Sequence, residues 1–148
     1  SPLVSDKESV QFNYSHSSKN VLRGLHYQIS RPQGKLVQVL KGKIFDVGVD
    51  IRKDSPTFGE HFSLVFGNED HIQIYFPPGI AHGFCVLSEY ADVTYQCTDY
   101  YYPDDEGGVL WNDPDLNIKW PIDDPLVSEK DQIFKKLSEL DEKEYPIF

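Results

Sequence analysis

The chain has 148 residues, a length that suits one domain with its own hydrophobic core. Its formal net charge of −10 repels phosphate backbones and argues against nucleic acid as a partner. No apolar run approaches the roughly 20 residues of a membrane-spanning helix and no signal peptide is visible, so we expect a cytoplasmic protein that does not enter a membrane. Cys85 and Cys97 lie in apolar stretches, as buried free thiols of intracellular proteins do.

Residues 1–20 are polar and weakly patterned, and from Val21 onward the chain reads as short strands separated by glycine and proline turns. The predicted strands cover residues 21–28, 35–40, 44–51, 61–66, 71–76, 83–88 and 91–98. In the segment 44–51 one face is apolar and the other holds Asp46, Gly48 and Asp50. Spacing of about ten residues predicts an all-β antiparallel sandwich or barrel. We find no internal repeat or linker, and therefore expect one domain over residues 1–148.

The C-terminal part has a different period. Ile133, Phe134, Leu137 and Leu140 have the spacing of an amphipathic helix, and Ser128 stands where a helix cap would. The pattern predicts one short C-terminal helix within 128–143 that lies against the sheet.

Several side chains could carry chemistry. His26 lies on a predicted strand, and His82 follows a turn rich in proline and glycine. Neither belongs to a complete set of metal ligands, so the pattern favours proton transfer over metal binding. Tyr95 shares a face with apolar residues and points inward, while Lys35 borders an apolar face, where an ammonium either extends to solvent or stabilises an anion. Each of these four residues also fits a purely structural role.

Taken in order, the segments of the chain resemble one known family. The matching segments are VLRGLHYQ at 21–28, QGKLV at 33–37, FDVGVDIR at 45–52, SPTFG at 55–59, PGIAHGF at 78–84, YYYP at 100–103 with EG at 106–107, and WNDP at 111–114 leading to WP at 120–121. Over about residues 10–135 the chain resembles the dTDP-4-dehydrorhamnose 3,5-epimerase family.

The resemblance implies a cupin-like antiparallel β-barrel (jelly roll), a homodimer, and catalysis without metal or organic cofactor. It also implies a dTDP-linked 4-keto-6-deoxyglucose as the substrate, on the route to dTDP-L-rhamnose. His26 is similar to the catalytic base of the family and Asp131 to the residue that orients it, while Tyr95 resembles the proton donor on the opposite face of the sugar. Lys35 would stabilise the enolate oxygen. The remaining positions that match substrate-binding residues are Gln11, Asn13, Arg23, His82, Tyr101, Glu106 and Lys130, among which Arg23 and Lys130 match phosphate contacts and Tyr101 the ring that stacks on thymine.

Two features depart from the family pattern. The family carries a further N-terminal stretch with an Arg-Gly-x-Phe segment, which has no match here, so this part of the domain is missing or short in the chain. Ideal alternation also puts Arg23 on the face opposite His26, and a bulge near Gly24 or a contact with a neighbouring subunit is needed to bring Arg23 to the phosphates.

Three alternative functions remain open at this point. One is epimerisation at a single carbon, or of a different nucleotide sugar, because the same base and enolate serve both outcomes. Another is binding of a sugar nucleotide without turnover. The third is a metal-dependent cupin oxygenase, for which the ligand set is incomplete.

Overall fold

The computed structural model describes residues 11–147, which form ten β-strands and one short α-helix. The elements in chain order are β1 (Gln11–Ser18), β2 (Val21–Gln28), β3 (Lys35–Lys41), β4 (Lys43–Asp50), β5 (His61–Gly67), β6 (Gln73–Phe76), β7 (Ile80–Val86), β8 (Tyr90–Cys97), β9 (Glu106–Gly108), β10 (Leu126–Val127) and α1 (Glu129–Gln132). The predicted strands are therefore all present, with shifts of a few residues at their ends. No helix within the described residues is long and apolar enough to cross a membrane.

The strands form two sheets. A four-stranded sheet has the order β1-β8-β3-β6, and a six-stranded sheet has the order β10-β2-β7-β4-β5 with β9 also paired to β2. All pairs are antiparallel except β10 with β2. The predicted all-β jelly roll is confirmed, and its two sheets do not close into a barrel because β5 and β6 remain edges.

The core has two layers, and β4 contributes to both. Val47 and Val49 belong to a cluster between the six-stranded sheet and the C-terminal segment, which covers this face with Trp111 and Trp120. Ile44 on the other side of β4 belongs to the cluster between the two sheets. The alternation predicted for β4 is therefore confirmed. The face of β4 that lies between the two sheets is directed toward the polar side chains described below.

Strand β1 was not predicted. It pairs with β8 along its whole length, from Gln11 opposite Cys97 to Ser18 opposite Tyr90. Its inner face is polar instead of apolar, which is why the sequence shows no hydrophobic alternation.

The predicted short C-terminal helix is present as α1, but it has only four residues, and the helical spacing that continues to Leu140 does not extend it. Ser128 does cap it, by accepting a hydrogen bond from the Asp131 N–H at 3.2 Å. Beyond α1 the backbone bonds to another part of the chain: Leu110 N–H donates to the Lys135 carbonyl at 2.9 Å and Leu137 N–H donates to the Asp113 carboxylate at 2.8 Å. These bonds replace the helical ones and draw the segment along the sheet.

Candidate active site

A cavity of about 270 Å³ opens between the two sheets. Most of the predicted site residues line it, namely Asn13, Arg23, His26, Lys35, His82, Tyr95, Tyr101 and Glu106. The other three each touch a residue of that set: Asp131 bonds to His26, Gln11 to Asn13 and Lys130 to Glu106. The fold therefore brings together all the residues that the sequence analysis singled out.

His26 and Asp131 form a hydrogen-bonded pair although 105 residues separate them in sequence. His26 Nε2 lies 2.8 Å from Asp131 Oδ1, and Oδ2 accepts a second bond from Gly24 N–H at 3.1 Å. Burial opposes ionisation of Asp131, but the bonds from His26 and Gly24 lower the pKa of its carboxyl below the usual value. Because a carboxylate only accepts hydrogen bonds, Nε2 carries the proton and Nδ1 is the basic nitrogen of His26.

A bulge in β2 places Arg23 and His26 on the same side. Arg23 lies opposite Phe84 and His26 opposite His82, so β2 has one residue more than β7 in this interval. Gly24 makes the bulge possible with φ +134°, and a Cβ at this position would lie 2.6 Å from the Cα of Gly83. Of the two explanations considered for Arg23, the structure supports the bulge.

His82 has a carboxylate partner of its own. Its Nε2 lies 2.5 Å from Oδ1 of Asp46, and both side chains are buried. Asp46 was not predicted as a site residue, although a charged residue on the inward face of an alternating strand is a signal that could have identified it. Within residues 11–147 no group of three or more His, Cys, Asp or Glu side chains is placed to hold a metal ion.

Lys35 and Tyr95 meet on neighbouring strands of the four-stranded sheet. The Nζ atom of Lys35 lies 5.9 Å from the centre of the Tyr95 ring. Burial lowers the pKa of the Lys35 ammonium, and it raises the pKa of the Tyr95 phenol to about 12. Lys35 makes no ion pair with any residue that the structure describes. A lysine side chain at the cavity wall, without an ion-pair partner among the described residues, is suited to stabilise negative charge on a bound molecule.

A chain of polar contacts surrounds the mouth of the cavity. The Tyr101 hydroxyl donates to one oxygen of Glu106 at 2.8 Å, and Lys130 Nζ donates to the other at 2.5 Å. The side-chain oxygen of Gln11 accepts the Tyr101 backbone N–H at 2.7 Å. Burial and the Glu106 charge raise the pKa of Tyr101 to about 12, so its ring is a neutral phenol. The mouth thus presents an aromatic ring and an ammonium group to solvent.

Further residues that the sequence analysis did not assign complete the lining, namely Tyr27, Gln28, Gln33, Gly83, Phe84 and Cys97. Cys97 is buried and free, as is Cys85 in the other sheet. Burial raises the pKa of the Cys97 thiol, which makes it a poor nucleophile at neutral pH.

Comparison with known proteins points to one family. The sequence model of the protein family described as dTDP-4-dehydrorhamnose 3,5-epimerase matches residues 3–139 of this chain. A protein of that name from Neisseria gonorrhoeae is 51% identical over 129 residues, which cover 86% of this chain and 39% of the relative. Another from Pseudomonas aeruginosa is 50% identical over 133 residues, which cover 89% of this chain and 74% of the relative. The chain thus spans less than half the length of the first relative and about three quarters of the second.

The likeness extends to three dimensions. The crystal structure of a dTDP-6-deoxy-D-glucose-3,5-epimerase from Legionella pneumophila, in complex with dTDP-4-keto-L-rhamnose, superposes with a TM-score of 0.94. The two sequences are 47% identical, and the match covers 99% of this chain and 79% of that one. The cupin-like character of the jelly roll is confirmed by this agreement.

Proposed function

Because the chain belongs to the dTDP-4-dehydrorhamnose 3,5-epimerase family, we propose that it inverts C3 and C5 of dTDP-4-dehydro-6-deoxy-D-glucose to give dTDP-4-dehydro-L-rhamnose. One observation carries the proposal more than any other. His26, held by Asp131, lines the same cavity as Tyr95 and Lys35.

The reaction begins with proton removal beside a ketone. The hydrogens on C3 and C5 are acidic only because the C4 carbonyl can take up the electron pair as an enolate. His26 Nδ1 accepts the proton, the C–H electron pair becomes the enolate double bond, and the negative charge collects on O4 beside the Lys35 ammonium. The carboxylate of Asp131 stabilises the resulting imidazolium. The substrate itself supplies the electron sink, so the step needs neither a metal nor an organic cofactor.

Inversion requires the proton to return on the opposite face of the sugar. The Tyr95 phenol donates its proton to the enolate carbon, which reforms the carbonyl and leaves a phenolate that water reprotonates. Its raised pKa suits this role, because the phenol keeps its proton until the strongly basic carbon takes it. His26 releases its proton to solvent, and the second carbon follows the same sequence. His82 lines the sugar pocket next to these groups.

The nucleotide part extends beyond the cavity. A volume of about 270 Å³ suits a sugar ring and lies below the roughly 300–1,000 Å³ of pockets that enclose larger ligands. The diphosphate then lies toward Arg23 and Lys130. The whole chain has a net charge of −10, and the positive charges of these two residues make this site locally favourable for an anion. Tyr101 stacks on the thymine, and Gln11, Asn13 and Glu106 bind the remaining polar groups.

Incubation with the 4-keto substrate in heavy water, followed by NMR, tests the proposal. We expect deuterium at C3 and C5 with the wild type and no label with His26→Ala. His61→Ala is the control, because His61 is also a strand histidine but lies exposed on β5, outside the cavity. Label at one carbon only would assign the chain as a 3- or 5-monoepimerase, and binding without label would assign it as a non-catalytic binding protein. Either result contradicts the proposal.

We also propose a homodimer. The outer face of the four-stranded sheet exposes aromatic side chains, including Phe12 at 61%, Tyr14 at 57% and Tyr90 at 47%. A second copy of the chain would cover this face. Sedimentation equilibrium should give twice the chain mass for the wild type and a lower mass for Tyr14→Lys, and a wild-type monomer at micromolar concentration would contradict the dimer.

The two free thiols support a cytoplasmic location, which we propose on that basis. Fractionation of cells that produce the protein tests it, since recovery from the periplasm or medium would contradict it.

A further inference from the structure

Phe134 contacts the imidazole of His26, although neither its role nor its contact follows from the reaction above. The two ring centres are 5.7 Å apart and the planes meet at 80°, the edge-to-face arrangement that aromatic rings prefer. Phe134 comes three residues after Asp131, so the short segment at α1 contributes both the carboxylate and the ring that touch His26.

The Phe134 ring packs against the sheet at a glycine. Gly108 in β9 pairs with His26 in β2, and a Cβ at Gly108 would lie 2.3 Å from the Phe134 ring. The missing side chain therefore gives the ring its place beside His26. The bond from Leu110 N–H to the Lys135 carbonyl, at 2.9 Å, anchors the backbone next to Phe134.

Asp131 alone does not fix the imidazole. It holds only Nε2, and the His26 side chain is 26% exposed whereas that of Asp131 is 3% exposed. Water that reaches Nε2 competes with the carboxylate, and a hydrogen bond is stronger where water is excluded. A ring packed edge-to-face against the imidazole limits its rotation.

We propose that Phe134 is a positioning residue that holds His26 in its reactive orientation and shields the His26–Asp131 hydrogen bond from water. Its consequence for turnover rests on the proposed function, whereas its effect on the imidazole does not. Phe134 does not need to touch the substrate, so we infer that it acts on kcat and leaves KM almost unchanged.

The kinetic test compares Phe134→Ala, Phe134→Leu and the neighbouring Ile133→Ala. Ile133 is 81% exposed and makes a control on the same turn. Loss of one aromatic pair corresponds to a roughly two- to tenfold lower kcat, with KM within about twofold. Phe134→Leu keeps apolar bulk, so it should fold even where alanine does not, and its kcat should lie between those of alanine and wild type. A wild-type kcat for Phe134→Ala, or for Phe134→Leu if the alanine variant does not fold, would overturn the proposal.

The second readout is the proton NMR signal of His26 Nε2–H in the free protein. We expect a slowly exchanging signal in wild type and Ile133→Ala, with faster exchange in Phe134→Leu and the fastest in Phe134→Ala. Equal exchange in all four proteins would refute the shielding role. Because this measurement needs no substrate, it separates failure of the Phe134 inference from failure of the proposed reaction, which would show as a wild type without turnover.

Discussion

Replacement of Asp131 by asparagine should disable the base while leaving the cavity intact. The carboxylate accepts from two donors, His26 Nε2–H at 2.8 Å and Gly24 N–H at 3.1 Å. An asparagine amide offers one oxygen and one NH₂ group, so it can satisfy only one of them. If the oxygen stays with Gly24, the NH₂ group forces Nε2 to become the acceptor, and the proton moves to Nδ1, which can then no longer act as the base.

The size of the effect follows from these contacts. A hydrogen bond to a charged group contributes about 1.5–3 kcal/mol, which corresponds to roughly 10- to 150-fold in rate. The wrong tautomer adds to this loss, and the corresponding aspartate-to-asparagine change in serine proteases lowers kcat about 10⁴-fold. We therefore expect kcat of Asp131→Asn to fall by roughly 10²- to 10⁴-fold, with KM changed by less than about threefold.

The assay is the initial rate of deuterium uptake from heavy water, measured at saturating substrate. Asp113→Asn serves as the control, because Asp113 is also buried and its carboxylate accepts two backbone N–H groups, those of Leu137 at 2.8 Å and Asp115 at 2.9 Å. This control should lose stability but keep kcat. If Asp131→Asn retains more than about a third of the wild-type kcat, the dyad does not set the state of the base and the reasoning fails.

Three further changes probe the bulge in β2, a buried carboxylate at the end of β4 and the lysine beside Tyr95. Gly24→Ala should lower the free energy of unfolding by about 1–3 kcal/mol, because its Cβ would lie 2.6 Å from Gly83 Cα; chemical denaturation measures this, and an unchanged midpoint would show that the bulge tolerates a side chain. Asp50→Asn should cost about 2 kcal/mol at pH 7. Burial opposes the Asp50 charge, but bonds from Arg52, Ser55 and Thr57 lower the pKa of its carboxyl, so its stabilising contribution is present above the ordinary value of 3.8 and is lost as pH falls through the lower folded value. The difference between the urea midpoints of the wild type and Asp50→Asn should therefore become smaller below about pH 4. A difference that does not change with pH would contradict a lowered pKa of Asp50. Lys35→Gln should slow deuterium uptake by roughly 10²- to 10³-fold, whereas Lys119→Gln on the surface should not; equal rates would exclude Lys35 as the enolate partner.

Much of the fold could be predicted because its strands bury one apolar face. Val47 and Val49 alternate with Asp46 and Gly48, and the alternation is confirmed. Strand β1 was not predicted because Asn13 and its neighbours on the inner face are polar, so the segment shows no hydrophobic alternation. The site itself, not the core, determined those residue types.

In the C-terminal segment, by contrast, a clear helical spacing is present but most of the segment is not helical. Phe134 and Leu137 have helical spacing, but Phe134 packs over Gly108 and Leu137 is drawn to Asp113 by a backbone bond, while Ile133 faces solvent. Contacts with distant parts of the chain therefore determine the backbone here, in place of the helical spacing of the apolar residues. The pairing of His26 with Asp131 lay beyond periodicity altogether, because no pattern within either segment indicates a contact across 105 residues. Only the family resemblance predicted that contact.

Tyr95→Phe tests the central claim most directly, since that claim assigns proton removal and proton return to two different side chains. Deuterium uptake and inversion should be followed in the same heavy-water sample by NMR. Uptake at C3 and C5 should stay within about tenfold of wild type, while inversion should fall by roughly 10²- to 10⁴-fold. Inversion at the wild-type rate, or an equal loss of both signals, would contradict a mechanism in which His26 and Tyr95 act on opposite faces of the sugar.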